Sequence, residues 1–207
     1  MSIERGDRLP ALYQVDLASG AKRLIAHGIS PIVSPHRIRL AYLSVVRHND
    51  IQYKDALVIR NLKTGDERRV SLGSDIVYGT PPENIISWSL DGKRIAFDDD
   101  SIRQIRLGAT HNPISNPLAP RYWTAPAFLD SQVLVALANC WIGRHQHLMG
   151  IDRAGHRHPF ATLGAPPENL LRLRPGHLLA VTALYRLTLV SDHHTREVAR
   201  GVTAAAR

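Results

Sequence analysis

The feature that most constrains the fold is a motif that returns along the chain in drifting copies. Leu12-Tyr-Gln-Val-Asp-Leu-Ala-Ser-Gly20 reappears 45 residues later as Leu57-Val-Ile-Arg-Asn-Leu-Lys-Thr-Gly65, and again as Leu184-Tyr-Arg-Leu-Thr-Leu-Val-Ser191. A second motif alternates with it: Ile32-Val-Ser-Pro-His-Arg-Ile-Arg-Leu-Ala-Tyr42 beside Ser87-Trp-Ser-Leu-Asp-Gly-Lys-Arg-Ile-Ala-Phe97. A third, Pro81-Pro-Glu-Asn-Ile-Ile86, recurs as Pro166-Pro-Glu-Asn-Leu-Leu171, about two units further on. Periods in this range mark repeat architectures, in which each repeat is one supersecondary unit that buries its faces against its neighbours.

Each repeat reads as short strands between tight turns. Leu12–Leu17 alternates, ends at Ser19-Gly20, and returns over Lys22–Ala26 as a hairpin, the glycine supplying the positive φ of the turn. Ile29–Ser34 and Ile38–Val45 form the next hairpin. A polar stretch from Arg47 to Asp55 then leads to Leu57–Leu62 and Arg68–Leu72. Leu90-Asp-Gly-Lys93 between Ile85–Ser89 and Arg94–Phe97 is the strongest hairpin signal. Ile102–Leu107 is followed by a proline-broken return near Pro113–Leu118, which suits an edge strand because proline cannot donate to a ladder. Two further units run to the C-terminus. The sum is an N-terminal half-unit and four units of four strands. That is all-β and predicts a propeller-type array of about four four-stranded blades plus an N-terminal half-blade, as one domain over residues 1–207.

Trp88, Ser89, Asp91, Gly92, Lys93, Ile95, Ala96 and Phe97, read with the Asp-Leu-x-Ser-Gly turn, resemble the TolB-type propeller repeat, which is related to WD repeats. The same residues are similar to the propeller domains attached to prolyl oligopeptidases. Leu90 stands where that repeat carries proline, and the first unit has His36-Arg37 in place of Asp-Gly. What the resemblance implies is a fold, since its motif residues shape turns and packing and carry no chemistry. No Gly-x-Ser-x-Gly nucleophile elbow occurs.

Composition narrows the classes. The longest apolar run, Val133 to Ala138, is far short of a membrane span. The N-terminal residues are polar and Cys140 is the single cysteine, so cytoplasm is the expected compartment. The net charge of +8 is spread over scattered arginines and reads as a solvated surface, not as a nucleic-acid footprint. The His145, His147, His156 and His158 group, with Cys140 or Asp152, has no compact zinc spacing and reads as surface histidines on an outer hairpin. Asp98-Asp-Asp100 reads as an acidic turn.

The residues best placed to bind a partner are Glu83 and Glu168, in the repeated Pro-Pro-Glu-Asn element, and Arg121, Tyr122 and Trp123, on the approach to an inner strand. The expectation is a non-catalytic scaffold that binds a protein or peptide at the channel mouth, with no cofactor or metal and no membrane partner. A homodimer that completes the half-blade is consistent with it. The alternatives are a metal-assisted propeller hydrolase or lyase, and a truncated propeller without independent function.

Overall fold

A computed structural model gives the architecture. It describes residues 9–48, 51–76, 85–98, 101–106, 116–121, 124–138, 146–152, 154–164, 167–174, 176–182, 186–191 and 193–200, and every element within them is a strand. The chain divides into two compact units, Met1–Pro81 and Pro82–Arg207.

The first unit holds one antiparallel sheet in sequence order: β1 (Ala11–Val15), β2 (Lys22–Val33), β3 (Arg39–His48), β4 (Ile51–Asn61) and β5 (Glu67–Ile76). The N-terminal hairpin expected from the repeat is β1 with the first half of β2. The two strands expected over Lys22–Ala26 and Ile29–Ser34 are in fact one. Residues 22–27 of β2 pair with β1, and Gly28–Val33 pair with β3. Gly28 allows this passage. A Cβ there would collide with the Leu43 carbonyl oxygen and lie 2.7 Å from the Tyr42 ring, so only a bare backbone fits. A bulge follows, with Ser30 at φ 53° ahead of Pro31 and the register slipping between Ile29 and Ile32. Within the polar stretch Arg47–Asp55, residues 47–48 and 51–55 are also strand, because β3 and β4 stay paired out to His48 opposite Ile51.

The second unit holds three four-stranded antiparallel sheets, each again in sequence order. They are β6 (Ile86–Trp88), β7 (Arg94–Asp98), β8 (Ser101–Arg106) and β9 (Asn116–Arg121); β10 (Thr124–Phe128), β11 (Leu134–Ala138), β12 (Gln146–Ile151) and β13 (Arg157–Leu163); and β14 (Pro167–Arg174), β15 (His177–Thr182), β16 (Arg186–Ser191) and β17 (His194–Arg200). β9 carries Pro117 and Pro120 and lies at its sheet's edge, as proline requires. Second strands are the most apolar, since they are covered on both faces. Ala41, Ala96, Ala136 and Ala180, one in the second strand of each four-strand set (β3, β7, β11 and β15), are all fully buried. One apolar cluster joins Val135, Leu137, Leu148 and Phe160 to Leu170, Leu178 and Val190 of the next sheet; another joins Ala96 to Phe128, Leu134 and Ile151. Trp88 is a buried core residue.

The turns explain why the motifs persist. In the first unit the Asp16 carboxylate accepts from the backbone N–H groups of Ala18 (3.0 Å) and Ser19 (2.8 Å). The Asn61 side-chain oxygen does the same for Lys63 (2.8 Å) and Thr64 (3.2 Å). Each turn closes on a glycine in the left-handed region, Gly20 and Gly65. The other motif makes a second kind of turn. Ser89 Oγ accepts from the Arg94 N–H (2.9 Å) and donates to Asp91 (2.7 Å), with Gly92 at φ 63°. In the first sheet Ser34 Oγ accepts from the Arg39 N–H (3.1 Å), and Arg37 takes the left-handed position at φ 55°. Burial would raise the Asp91 carboxyl, but hydrogen bonds from Ser89 and the Lys93 N–H, with the nearby Arg94 charge, hold it below the usual carboxylate range.

Candidate functional site

In the second unit the first strands of the three sheets come together, β10 lying against both β6 and β14. Two polar contacts stitch them. Ser87 Oγ, on β6, accepts from the Phe128 N–H of β10 at 3.0 Å. Arg172, on β14, reaches past the middle sheet and donates from Nη1 to the Trp88 carbonyl oxygen at 3.4 Å. Burial pushes the Arg172 guanidinium below its ordinary range, yet an arginine stays charged in any protein setting. Among the described residues that neutral carbonyl is its one hydrogen-bond partner. A half-buried cation facing a neutral acceptor is poised for an anion, since a bidentate carboxylate would satisfy the guanidinium fork.

The residues singled out from the sequence bracket this region along the chain. Glu83 precedes β6, Tyr122 and Trp123 sit directly before β10, and Glu168 is the second residue of β14. Four of the five thus fall at the start of the three adjoining first strands. Arg121 ends β9, opposite Ser101, on the outer strand of its sheet. Glu83, Tyr122 and Trp123 lie outside the described residues. Arg172 was not legible as a site residue. Its signal is positional: in the two copies of the Pro-Pro-Glu-Asn element it occupies the place of Ser87, an arginine between Leu171 and Leu173 where a small residue stands elsewhere.

The histidines behave as expected of a surface hairpin. β12 and β13 are the outer two strands of their sheet, and His147 pairs opposite Thr162, four positions from His158. His147 Nδ1 lies 3.3 Å from Thr162 Oγ1, and His156 Nδ1 lies 2.9 Å from Asp152 Oδ2. That hydrogen bond from His156 is the main cause holding the Asp152 carboxyl below its usual range. His158 lays its ring over Gly150, where any Cβ would strike it. Among the described residues no three His, Cys, Asp or Glu side chains form a ligand set for a metal. Cys140, His145, Asp99, Asp100 and Trp141 lie outside the described residues.

No protein-family model matches the chain, and no curated protein matches it in sequence. Solved structures do match in fold. The chain is similar to the tricorn protease (TM-score 0.66, 10% identity), covering 91% of this chain and 24% of that one. It is similar to the Swd1 β-propeller domain of Myceliophteria thermophila (TM-score 0.57, 14% identity; 88% of this chain and 59% of that one). It also resembles the acylaminoacyl peptidase of Pyrococcus horikoshii (TM-score 0.55, 14% identity; 82% and 32%). The chain therefore spans about a quarter of the tricorn protease and under two thirds of the Swd1 domain. Peptidases and a scaffold domain appear side by side among these neighbours, so the likeness speaks to architecture alone. Four-stranded antiparallel sheets in sequence order, turn-forming motifs in register and these structural neighbours together make this an all-β chain with the β-propeller fold.

Proposed function

We propose that the chain is a non-catalytic β-propeller scaffold, a single domain in the cytoplasm, that binds a protein or peptide partner where the first strands begin. The observation that carries this reading is Arg172, a half-buried cation among three adjoining first strands whose partner is a neutral carbonyl. The partner group that suits it is a carboxylate, from an acidic side chain or a chain end. Trp123 and Tyr122, entering β10, would supply aromatic surface of the kind that anchors protein contacts, and Glu83, Glu168 and Arg121 would set polar specificity around it.

A photo-crosslinking amino acid at position 123 tests this in cells of the natural host. The expected result is a discrete protein adduct that Arg172→Ala abolishes while the variant keeps its fold by circular dichroism. An adduct pattern unchanged by Arg172→Ala, or none, would contradict the reading.

A further inference from the structure

The N-terminal hairpin repeats the β4–β5 hairpin over three residue pairs. Tyr13 pairs with Leu24, Gln14 with Arg23 and Val15 with Lys22; 45 positions on, Val58 pairs with Arg69, Ile59 with Arg68 and Arg60 with Glu67. The turns are the same as well. The surroundings are not. Val58 is fully buried, whereas Tyr13 is 55% exposed and Val15 44% exposed. Leu24 is exposed on the same face, and Leu17 beside it is 97% exposed. What covers β4 on its inner side is β3, with Leu43, Tyr42, Ala41 and Leu40 opposite Leu57, Val58, Ile59 and Arg60. β1 has β2 on one side and, among the described residues, no strand on the other.

We propose that this hairpin is a strand-addition site. An extended segment of another polypeptide adds antiparallel to the free edge of β1 and lies over Tyr13, Val15 and Leu24. The chain itself specifies the occupant, because each of its four complete sets shows which strand belongs at that edge. Every second strand places a fully buried alanine amid apolar neighbours, and in the second sheet that alanine, Ala96, pairs opposite Gln104. Gln14 holds the matching place in β1, within Leu12-Tyr-Gln-Val-Asp-Leu beside Ile102-Arg-Gln-Ile-Arg-Leu. The segment therefore reads apolar–alanine–apolar, with alanine opposite Gln14. Charge gives its second mark. In the first sheet Tyr42 Oη donates to Glu67 across β4 at 3.0 Å, and Arg60 pairs with Glu67 at 2.8 Å. In the hairpin Lys22 stands in place of Glu67 and Val15 in place of Arg60. The added strand thus carries a carboxylate where Tyr42 stands, directed at Lys22. Among the described residues a second copy of this chain offers no spare strand of this type, since β3, β7, β11 and β15 are each paired on both sides. This site is independent of Arg172, and either proposal can fail without the other.

The probe is a fluorescein-labelled peptide with the sequence of residues 38–46 carrying Tyr42→Glu, titrated with the full chain and read by anisotropy, with mass followed by light scattering. Saturable binding to a monomer is expected. Lys22→Glu should weaken it about tenfold, and a peptide with Tyr42→Lys should recover that loss on the Lys22→Glu protein. Lys22 is exposed, so the variant keeps its fold. No saturable binding, binding indifferent to the charge swap, or a dimer whose formation excludes the peptide would overturn the proposal. The last would assign the edge to pairing between two copies of β1.

Discussion

The N-terminal hairpin and the β4–β5 hairpin are close to a controlled experiment within one chain. Their turns are capped alike, their strand registers coincide over three residue pairs, and both end on a left-handed glycine. Yet Val58 is fully buried, and Tyr13, at the matching place, is 55% exposed. Local sequence therefore suffices to make a two-stranded ribbon and its turn, while burial comes from the strands on its inner side. Two-stranded hairpins are marginal alone, and here the first is held by the continuation of β2 into the sheet and by Leu12, Ile25 and Ala26 packing against the cluster of Leu40, Tyr42, Ala56 and Val58.

The sharpest way to break this comparison is paired truncation. Val58→Ala should cost about 2 kcal/mol in urea unfolding, because it opens a cavity in a closed core. Tyr13→Ala, at the matching exposed place, should stay within about 0.5 kcal/mol, as exposed substitutions do. Equal costs would mean the hairpin is as deeply embedded as its counterpart. Next in size is Gly28→Ala, where the new Cβ meets the Leu43 carbonyl and the Tyr42 ring; a loss of about 1–3 kcal/mol is expected, seen in the same titration.

A smaller effect separates the two Ser-centred turns. Gly92→Ala places a Cβ in the left-handed region and should cost about 1 kcal/mol, whereas Arg37→Ala should be near neutral because a side chain already stands there. Thermal unfolding of both variants decides it.

Tyr42 gives a pH signature confined to the first sheet. Burial, then the hydrogen bond to Glu67, pushes its phenol up to about 12, above the ordinary value of 10.0. Its folded-state value is the higher one, so its contribution is whole below pH 10 and is lost as pH rises toward 12. Tyr42→Phe should remove that alkaline step at a cost of about 1 kcal/mol at neutral pH. An unchanged alkaline limb would contradict the contact with Glu67.

The smallest expected effect is at the hairpin turn. Hydrogen bonds from the Ser19 backbone, then its side chain and the Ala18 N–H, hold the Asp16 carboxyl below its usual range. Its contribution is present above the ordinary carboxylate value and is lost as pH falls through the depressed one. Asp16→Asn keeps the turn acceptor and should flatten the acid limb slightly without moving the neutral-pH midpoint.

Much of the fold was legible because turns and alternation are local. The Asp/Asn-x-x-x-Gly turns, the Ser-centred hairpins and the proline-bearing edge strand β9 all follow from residue chemistry. Two features were not. Gly28 reads as a break, but its role is a close backbone approach, which depends on Tyr42 and Leu43 arriving from the next strand. Arg47–Asp55 reads as a connection because it is polar, though backbone pairing needs no apolar side chains. The site was less legible. Arg172 sits in a leucine-rich strand pattern, and only the packing of three sheets shows that its guanidinium reaches Trp88.

Amide hydrogen exchange over the two copies of the motif tests the central claim most directly. The amides of Val58–Arg60 should exchange only through large-scale opening, and those of Tyr13–Val15 at least about a hundredfold faster, through local fraying of an open edge. Equal protection of the two copies would contradict the account, because it would mean that the N-terminal hairpin already has its inner strands.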